Sequence, residues 1–319
     1  MKISVAMCTY NGESYIQQQL ESFANQSRKP DEIVVCDDAS KDATVAILKK
    51  FAETAPFLVR VLQNKKNLGS TQNFVRAIHL CEGDMIALSD QDDVWRPGKL
   101  AALSEVLERD PVIGGVFSDG ELIDDRSRRT GHSLWDSIGY TKEMQSQLGR
   151  DCPFEVLKKQ YFITGATLMF RSEMRKHFTS IPPIWIHDAF MTWKLAIHSK
   201  LVGIPLPLID YRIHANNQVG VSMPSTGELL RGRTAAQMVG LLEKEIQQLQ
   251  VLHGEIGNLA TERSREALSA VERRTHYLSV RAAIISRPRS VRALWALSAY
   301  PQYSEFGKGW RSVFGDLAL

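Results

Sequence analysis

The chain has 319 residues, 44% of them apolar and 24% charged, and carries a formal net charge of +3. That balance fits an ordinary soluble globular protein of one or two domains and is too weakly basic to argue for nucleic acid; RNP-like aromatic strands, zinc-finger spacing and long basic arms are all missing. No run approaches the roughly 18 consecutive apolar residues of a membrane-spanning helix, and the apolar stretch Ile3 to Cys8 is too short for a signal-peptide core.

Strand and helix signals alternate through the first half. Ile3-Ser4-Val5-Ala6-Met7-Cys8 reads as a strand, and Thr9-Tyr10-Asn11-Gly12 as the turn after it. Residues 14–25 form a helix with Tyr15, Ile16, Leu20 and Phe23 on one face. Pro30-Asp31 ends it. A second strand covers 32–36, followed by the loop Asp37-Asp38-Ala39-Ser40. Asp42 or Ser40 can cap the next helix, 44–53. A strand over 58–63, the turn Asn67-Leu68-Gly69-Ser70, a helix over 71–81 and a strand over 84–88 complete the series. Repeated βα units predict parallel strands joined by right-handed crossovers.

Beyond this half the signals thin out. A strand is expected over 112–118. Residues 124–150 are polar and poorly periodic, which predicts a mobile surface loop. A strand containing Gly165 is expected over 162–170, a helix over 186–199 and a last strand over 208–213. From about Gly227 only helical patterns remain, with Leu241, Ile246, Leu249 and Leu252 on one face. A domain boundary is expected near Ser222 to Gly227, dividing 1–224 from 225–319. The cysteines, Cys8, Cys36, Cys81 and Cys152, include no C-x-x-C pair and read as reduced, buried packing residues of a cytoplasmic protein.

The most informative residues are Asp90-Gln91-Asp92-Asp93, between the apolar run Met85-Ile86-Ala87-Leu88 and Val94-Trp95-Arg96-Pro97. In an open α/β sheet, ligands bind beyond the carboxyl ends of the strands. Three carboxylates there repel one another and need a compensating charge. Hard oxygen donors suit Mg2+ or Mn2+, which also bind phosphate oxygens. The loops at Thr9-Tyr10-Asn11-Gly12-Glu13, Asp37-Asp38 and Asn67-Leu68-Gly69 end neighbouring strands at the same edge. Polar groups converging on one edge form a pocket suited to a nucleotide: a carboxylate after the second strand can accept hydrogen bonds from a base or ribose, and Tyr10 can stack.

These four segments resemble family 2 glycosyltransferases of the GT-A fold. The stretch Ser89-Asp90-Gln91-Asp92-Asp93-Val94-Trp95, with His187-Asp188 and Tyr211-Arg212-Ile213-His214-Ala215-Asn216-Asn217, resembles the bacterial rhamnosyltransferase-like branch, which builds O-antigen and other surface polysaccharides. The resemblance implies an α/β fold with a Rossmann-like, mostly parallel sheet flanked by helices, and a helical extension at the C-terminal end. It implies that Thr9, Tyr10, Asn11, Glu13, Asp37, Asp38, Asn67, Gly69 and Asp90 bind the nucleotide-sugar. Asp92, with His214, would hold Mg2+ or Mn2+, and Asp90 would face the ribose or the water shell of the metal; Asp93 can share either task. Asp188 would be the general base of an inverting transfer; on its own it could equally be a helix N-cap. Trp185, His187 and Gly165 are expected on the acceptor side. Arg212 can neutralise phosphate or pair with a surface acid. Trp95 reads as packing. The donor expected first is dTDP-L-rhamnose, with UDP-sugars open, and the acceptor a lipid-linked or lipopolysaccharide glycan. The segment 118–150 would help to select them.

The tail mixes Arg281, Arg287, Arg289, Arg292 and Arg311 with Ile284, Ile285, Leu294, Trp295, Leu297, Tyr300, Tyr303 and Trp310. Such a stretch can lie on the inner face of an anionic membrane, or pack as a helical domain against the core or a second subunit in a homodimer. A sugar-1-phosphate nucleotidyltransferase is disfavoured, because the loop after the first strand lacks a Gly-rich, basic run. A non-catalytic binding protein is disfavoured because both the D-x-D element and the base are present. A dehydrogenase lacks its G-x-G-x-x-G.

Overall fold

A computed structural model describes residues 1–214, 234–307 and 309–319. The chain divides into two compact units. One comprises Met1–Asp151 with 162–214; the other comprises Cys152–Tyr161 with the described residues of 234–319. The expected boundary at Ser222 to Gly227, and the motif residues Ala215, Asn216 and Asn217, lie outside the described residues.

In the first unit the elements run β1 (Ile3–Thr9), α1 (Ile16–Ala24), β2 (Glu32–Asp37), α2 (Thr44–Thr54), β3 (Leu58–Gln63), α3 (Ser70–Leu80), β4 (Met85–Ser89), β5 (Val94–Trp95), α4 (Lys99–Arg109), β6 (Ile113–Ile123), β7 (Arg129–Ser133), α5 (Leu134–Ile138) and α6 (Lys142–Gly149). Helix α7 (Pro153–Leu157) belongs to the second unit. The first unit resumes with β8 (Leu168–Arg171), α8 (His187–His198) and β9 (Lys200–Arg212). The sheet order is β3-β2-β1-β4-β8-β6-β9-β5, with β7 on β6. β1 is buried along its whole length, between parallel neighbours β2 and β4. This accounts for its continuous apolar run rather than an alternating one.

Register aligns the strand ends. Thr9 pairs with Asp37, Asp37 with Gln63, and Met7 with Ser89. The loops after β1, β2, β3 and β4 therefore start at one edge. β5 pairs antiparallel with the end of β9, Val94 opposite Asp210, which brings the residues after β9 to the acidic turn. The sheet is mixed, since β8 runs antiparallel to both β4 and β6.

Several expectations are corrected. Residues 124–150 are not one loop but hold β7, α5 and α6. Leu134, Trp135, Tyr140 and Leu148 are buried anchors spaced too irregularly to show one period. Ser133 and Thr141 accept the amides of Asp136 and Met144 as N-caps. The strand expected over 162–170 is confined to Leu168–Arg171, after a tight 3-10 turn at Gly165–Thr167. β9 begins at Lys200 rather than 208; its register against β6 shifts between Ile204 and Pro207, where Pro205 and Pro207 lack the amide that a regular ladder needs. Cys152 is exposed, whereas the other three cysteines are buried.

The second unit is helical: α9 (Ala235–Ile256), α10 (Glu262–Ile285), α11 (Arg289–Ser298), α12 (Tyr300–Phe306) and α13 (Trp310–Ala318) follow α7. The buried face of α9 is Leu242, Leu249, Leu252 and Ile256, while Leu241 is exposed. Arg281 forms a bidentate pair with Asp316, which also accepts from the Tyr303 hydroxyl at 2.7 Å. Ile284, Ile285, Tyr303 and Arg292 are buried and so belong to the core of this unit, not to its surface. No helix among the described residues is long and apolar enough to cross a membrane.

Candidate functional site

A cavity of about 510 Å³ opens at the aligned strand ends of the first unit. Its walls include Thr9, Tyr10, Asn11, Asp38, Asn67, Asp90, Asp92, His187, Asp188 and His214. The loops that build it hold one another. The Gln91 side chain accepts from the Tyr10 amide at 2.8 Å and donates to the Tyr10 carbonyl at 3.1 Å, tying the β4 loop to the β1 loop. A Cβ on Gly12 would lie 2.2 Å from the Gln91 Oε1, so any other residue there would displace the Gln91 side chain from this clamp. Asn11 adopts φ 48° and accepts from the Lys41 amide, and its own amide donates to Ser40 Oγ.

The carboxylates after β2 are consumed by their own chain. Asp37 is fully buried; it accepts from the Thr9 hydroxyl at 2.9 Å, the Ser40 amide at 2.9 Å and the Ser40 hydroxyl. Asp38 accepts from Asn64 Nδ2 at 2.7 Å and from the amides of Leu68 and Gly69 at 2.8 and 2.9 Å. Gly69, at φ 81°, makes the turn that points its amide back. Asn67 closes the same turn by accepting the Gly69 amide at 3.0 Å. Asp38 and Asn67 line the cavity; Asp37, Gly69 and Glu13 do not. The Glu13 carboxylate instead accepts the Ala43 amide at 2.8 Å, at the start of α2, and Asp42 receives the amides of Glu13 and Thr44. Glu13 and Asp37, expected at the ligand, thus stand off the cavity wall with their carboxylates held by loop donors.

The acidic turn after β4 is different. Asp92 Oδ2 lies 2.8 Å from His214 Nε2. The His214 ring stacks on Tyr15, with centroids 5.0 Å apart. Burial, then the negative charges of Asp92 and Asp188, push the Asp90 carboxyl up to about 7, against the pull of Lys99. Asp93 is buried; one oxygen accepts the Arg212 amide at 3.0 Å, and the other has no partner among the described residues. Burial and the charges of Asp92 and Asp90 raise its pKa well above the ordinary carboxyl value. Asp93 therefore faces the interior, away from the cavity, while Asp90 and Asp92 line it.

Arg212 is buried and braces the acidic turn. Its guanidinium donates to the carbonyls of Asp92 and Asp124, to Ser127 Oγ and to Gln18 Oε1, and it lies 4.7 Å over the Tyr15 ring.

Asp188 sits in the first turn of α8. Ile186, not Asp188, is the N-cap residue. The Asp188 carboxylate accepts the amides of Ala189 at 2.7 Å and Gly165 at 3.2 Å. His187 lines the cavity, stacked on Phe74 at 4.1 Å; burial lowers its pKa, opposed by Asp188. Trp185 is buried edge-on to Phe190 and does not reach the cavity, and Gly165 lies behind the wall. Trp95 is buried, edge-on to Phe23, as expected of a packing residue.

Sequence reasoning gave Tyr15, Gln91 and Lys99 no role of their own at the site. Lys99 is fully buried, its Nζ 3.7 Å over the Trp95 ring. Its signal was available: residues 99, 103 and 107 share one face of α4.

With this geometry in place, comparison with known proteins identifies the class. Residues 4–168, more than half of the chain, match the model of glycosyl transferase family 2. The chain belongs to this family. It is 29% identical over 231 residues to the dTDP-rhamnosyl transferase RfbG of Shigella flexneri, covering 68% of this chain and 74% of that protein. It also matches uncharacterized mycobacterial proteins at 27% identity over 67% of its own length, and spans only 59% of theirs. Among solved structures, S. aureus TarS 1-349 in complex with UDP-GlcNAc superposes with a TM-score of 0.62 at 17% identity, covering 96% of this chain and 82% of that one. The mannosyltransferase PcManGT of Pyrobaculum calidifontis, in complex with GDP-Man and Mn2+, superposes at 0.56 and 17% identity, covering 99% and 84%. At this identity, both establish a shared fold.

Among the described residues no group of three or more His, Cys, Asp and Glu side chains converges as a closed metal site. Asp92 and His214 are paired within 2.8 Å, beside the under-compensated Asp90. One or two carboxylates with substrate phosphates completing the shell is the usual arrangement for Mg2+. The residues present fit such an ion.

Proposed function

We propose that this chain transfers a sugar, with inversion, from a nucleotide-diphosphate donor to a glycan acceptor. The observation that carries this reading is the meeting of the Asp92–His214 pair and Asp188 on one cavity at the strand ends. The fold neighbours in complex with UDP-GlcNAc and with GDP-Man support a nucleotide-sugar donor, and the RfbG relative supports dTDP-L-rhamnose as the first donor to test.

Tyr10, Asn11, Asp38 and Asn67 bind the nucleoside, with Thr9 beneath them. Asp38 acts mainly through the turn it holds. Asp92 and His214 hold Mg2+ or Mn2+, with Asp90 beside them. When bound, that ion supplies Lewis-acid stabilisation of the leaving diphosphate. Asp188 accepts the proton of the acceptor hydroxyl as its oxygen bonds to the anomeric carbon and the carbon–oxygen bond to the diphosphate breaks. The Ala189 and Gly165 amides orient that carboxylate. His187 lines the acceptor side, with Gly165 behind it.

The acceptor is read as lipid-linked or as lipopolysaccharide, and the second unit as a peripheral membrane contact. Helix α11 exposes Leu294, Trp295 and Leu297, with the Arg287 guanidinium 3.7 Å over the Trp295 ring. The acids Glu305 and Asp316 of α12 and α13 are paired with Arg273 and Arg281, and the Arg287 charge beside this apolar face suits anionic lipid. Loss of sedimentation with anionic vesicles in Leu294→Glu checks this; concentration-dependent dimerisation abolished by the same change would instead favour a second copy.

The central test is calorimetric binding of dTDP-rhamnose, UDP-sugars and GDP-mannose with and without Mn2+. Metal-dependent binding of one donor, lost in Asp92→Ala and kept in Asp188→Ala, is expected. Binding of a sugar phosphate with pyrophosphate release would point to a nucleotidyltransferase, and no binding of any sugar nucleotide, with or without acceptor, would overturn the reading.

A further inference from the structure

Lys99 is the first residue of α4, six positions after Asp93. It is fully buried, a costly place for an ammonium group unless its charge and hydrogen bonds are used. Three things use them. Its Nζ donates to the Ala166 carbonyl. It lies over the Trp95 ring. Burial pushes its pKa down to about 7, against the pull of the Asp93 and Asp90 carboxyls, whose own ionisation it favours. The carbonyl it holds belongs to the 3-10 turn Gly165–Thr167. The other end of that turn carries the Gly165 amide, which donates to Asp188 Oδ2. The turn has little slack: a Cβ on Gly165 would sit 3.0 Å from His187 Nε2 and 3.4 Å from Asp188 Cβ.

We propose that Lys99 is a positioning residue, which fixes Asp188 relative to the acidic turn by anchoring the Gly165–Thr167 turn from beneath. The inference rests on the transferase reading above. Lys99 does not line the cavity and acts through Ala166 and Gly165. A single buried side chain thus links two elements far apart in sequence. Displacing a reacting group by a fraction of an ångström lowers turnover without removing the binding groups.

The test is steady-state kinetics of Lys99→Met, Gly165→Ala and the double variant, with Mn2+ and donor affinities measured by calorimetry on the same folded samples. Lys99→Met is expected to lower kcat by about 10- to 100-fold, with donor KM and Mn2+ affinity within about 2-fold of wild type. Gly165→Ala moves the same carboxylate without touching Lys99, and serves if Lys99→Met does not fold. The double variant is expected to fall little further than the worse single one, since both act through one turn. Wild-type kcat in folded Lys99→Met, loss of donor affinity equal to the loss of kcat, or fully multiplicative effects in the double variant would each overturn the positioning role while leaving the transferase reading intact. If wild type binds sugar nucleotides but transfers from none of them to any glycan acceptor, the transferase reading itself fails, and the positioning role with it.

Discussion

Two acidic loops at the same sheet edge, Asp37-Asp38 after β2 and Asp90 to Asp93 after β4, look alike in sequence and are opposites in structure. In the first, both carboxylates accept hydrogen bonds from their own chain, including the amides of Ser40, Leu68 and Gly69. In the second, the carboxylates repel one another, Asp90 is pushed up to about 7, and a buried Asp93 oxygen has no partner among the described residues. Satisfied carboxylates are structural fasteners. Under-compensated ones mark the place where an arriving cation gains most, because its charge relieves repulsion that the fold has left standing.

Substitutions can break this contrast. Asp92→Ala should have the largest effect, lowering kcat/KM by about 100- to 1,000-fold if several kcal/mol of leaving-group stabilisation are lost; steady-state turnover at saturating Mn2+ measures it. The equivalent change in the other loop should act on stability. Asp38→Ala strands the Leu68 amide and removes one of the two acceptors of Asn64 Nδ2 and of the Gly69 amide, and should cost about 2 kcal/mol, read as a lower urea midpoint in metal-free buffer.

Asp93→Asn sharpens the contrast by removing a charge while keeping an acceptor for the Arg212 amide. The raised pKa of Asp93 means that the folded state holds its proton more tightly than the unfolded chain. The penalty is absent below the ordinary value of 3.8 and grows as pH rises toward the folded value. The asparagine variant should therefore gain thermal stability over wild type, by more at about pH 8 than at about pH 5, with chelator present. Glu32 gives the reverse sign and the smallest effect. Its burial opposes ionisation, but the Ser4 hydroxyl, the Glu82 amide and Arg60 outweigh this and lower its pKa. Glu32→Gln should cost about 1 kcal/mol at neutral pH, and the difference should vanish as pH falls through the lowered pKa, below 4.5. Thermal melts across pH check both.

The βα half was legible because its signals are local. Continuous apolar runs, amphipathic spacing and Asp, Asn and Gly turns gave β1 to β4 and α1 to α3 to within about two residues. The region 124–150 was not, because short helices anchored by Leu134, Trp135 and Tyr140 have no period to detect. In α9 the buried face was misread by one position, Leu241 for Leu242, since both leucines carry the same hydropathy.

The sequence by itself determined which residues could carry chemistry, since the acidic turn, the strand-end loops and His187-Asp188 are chemical types at readable positions. Only the tertiary structure decided what each carboxylate does. Glu13 and Asp37 became loop fasteners, Asp93 turned inward and Arg212 became a strut, while Lys99 entered from an unremarked helix start. A carboxylate's role depends on how many donors and charges surround it. Those neighbours come from strands and turns distant in sequence, so their number is fixed only when the chain is folded.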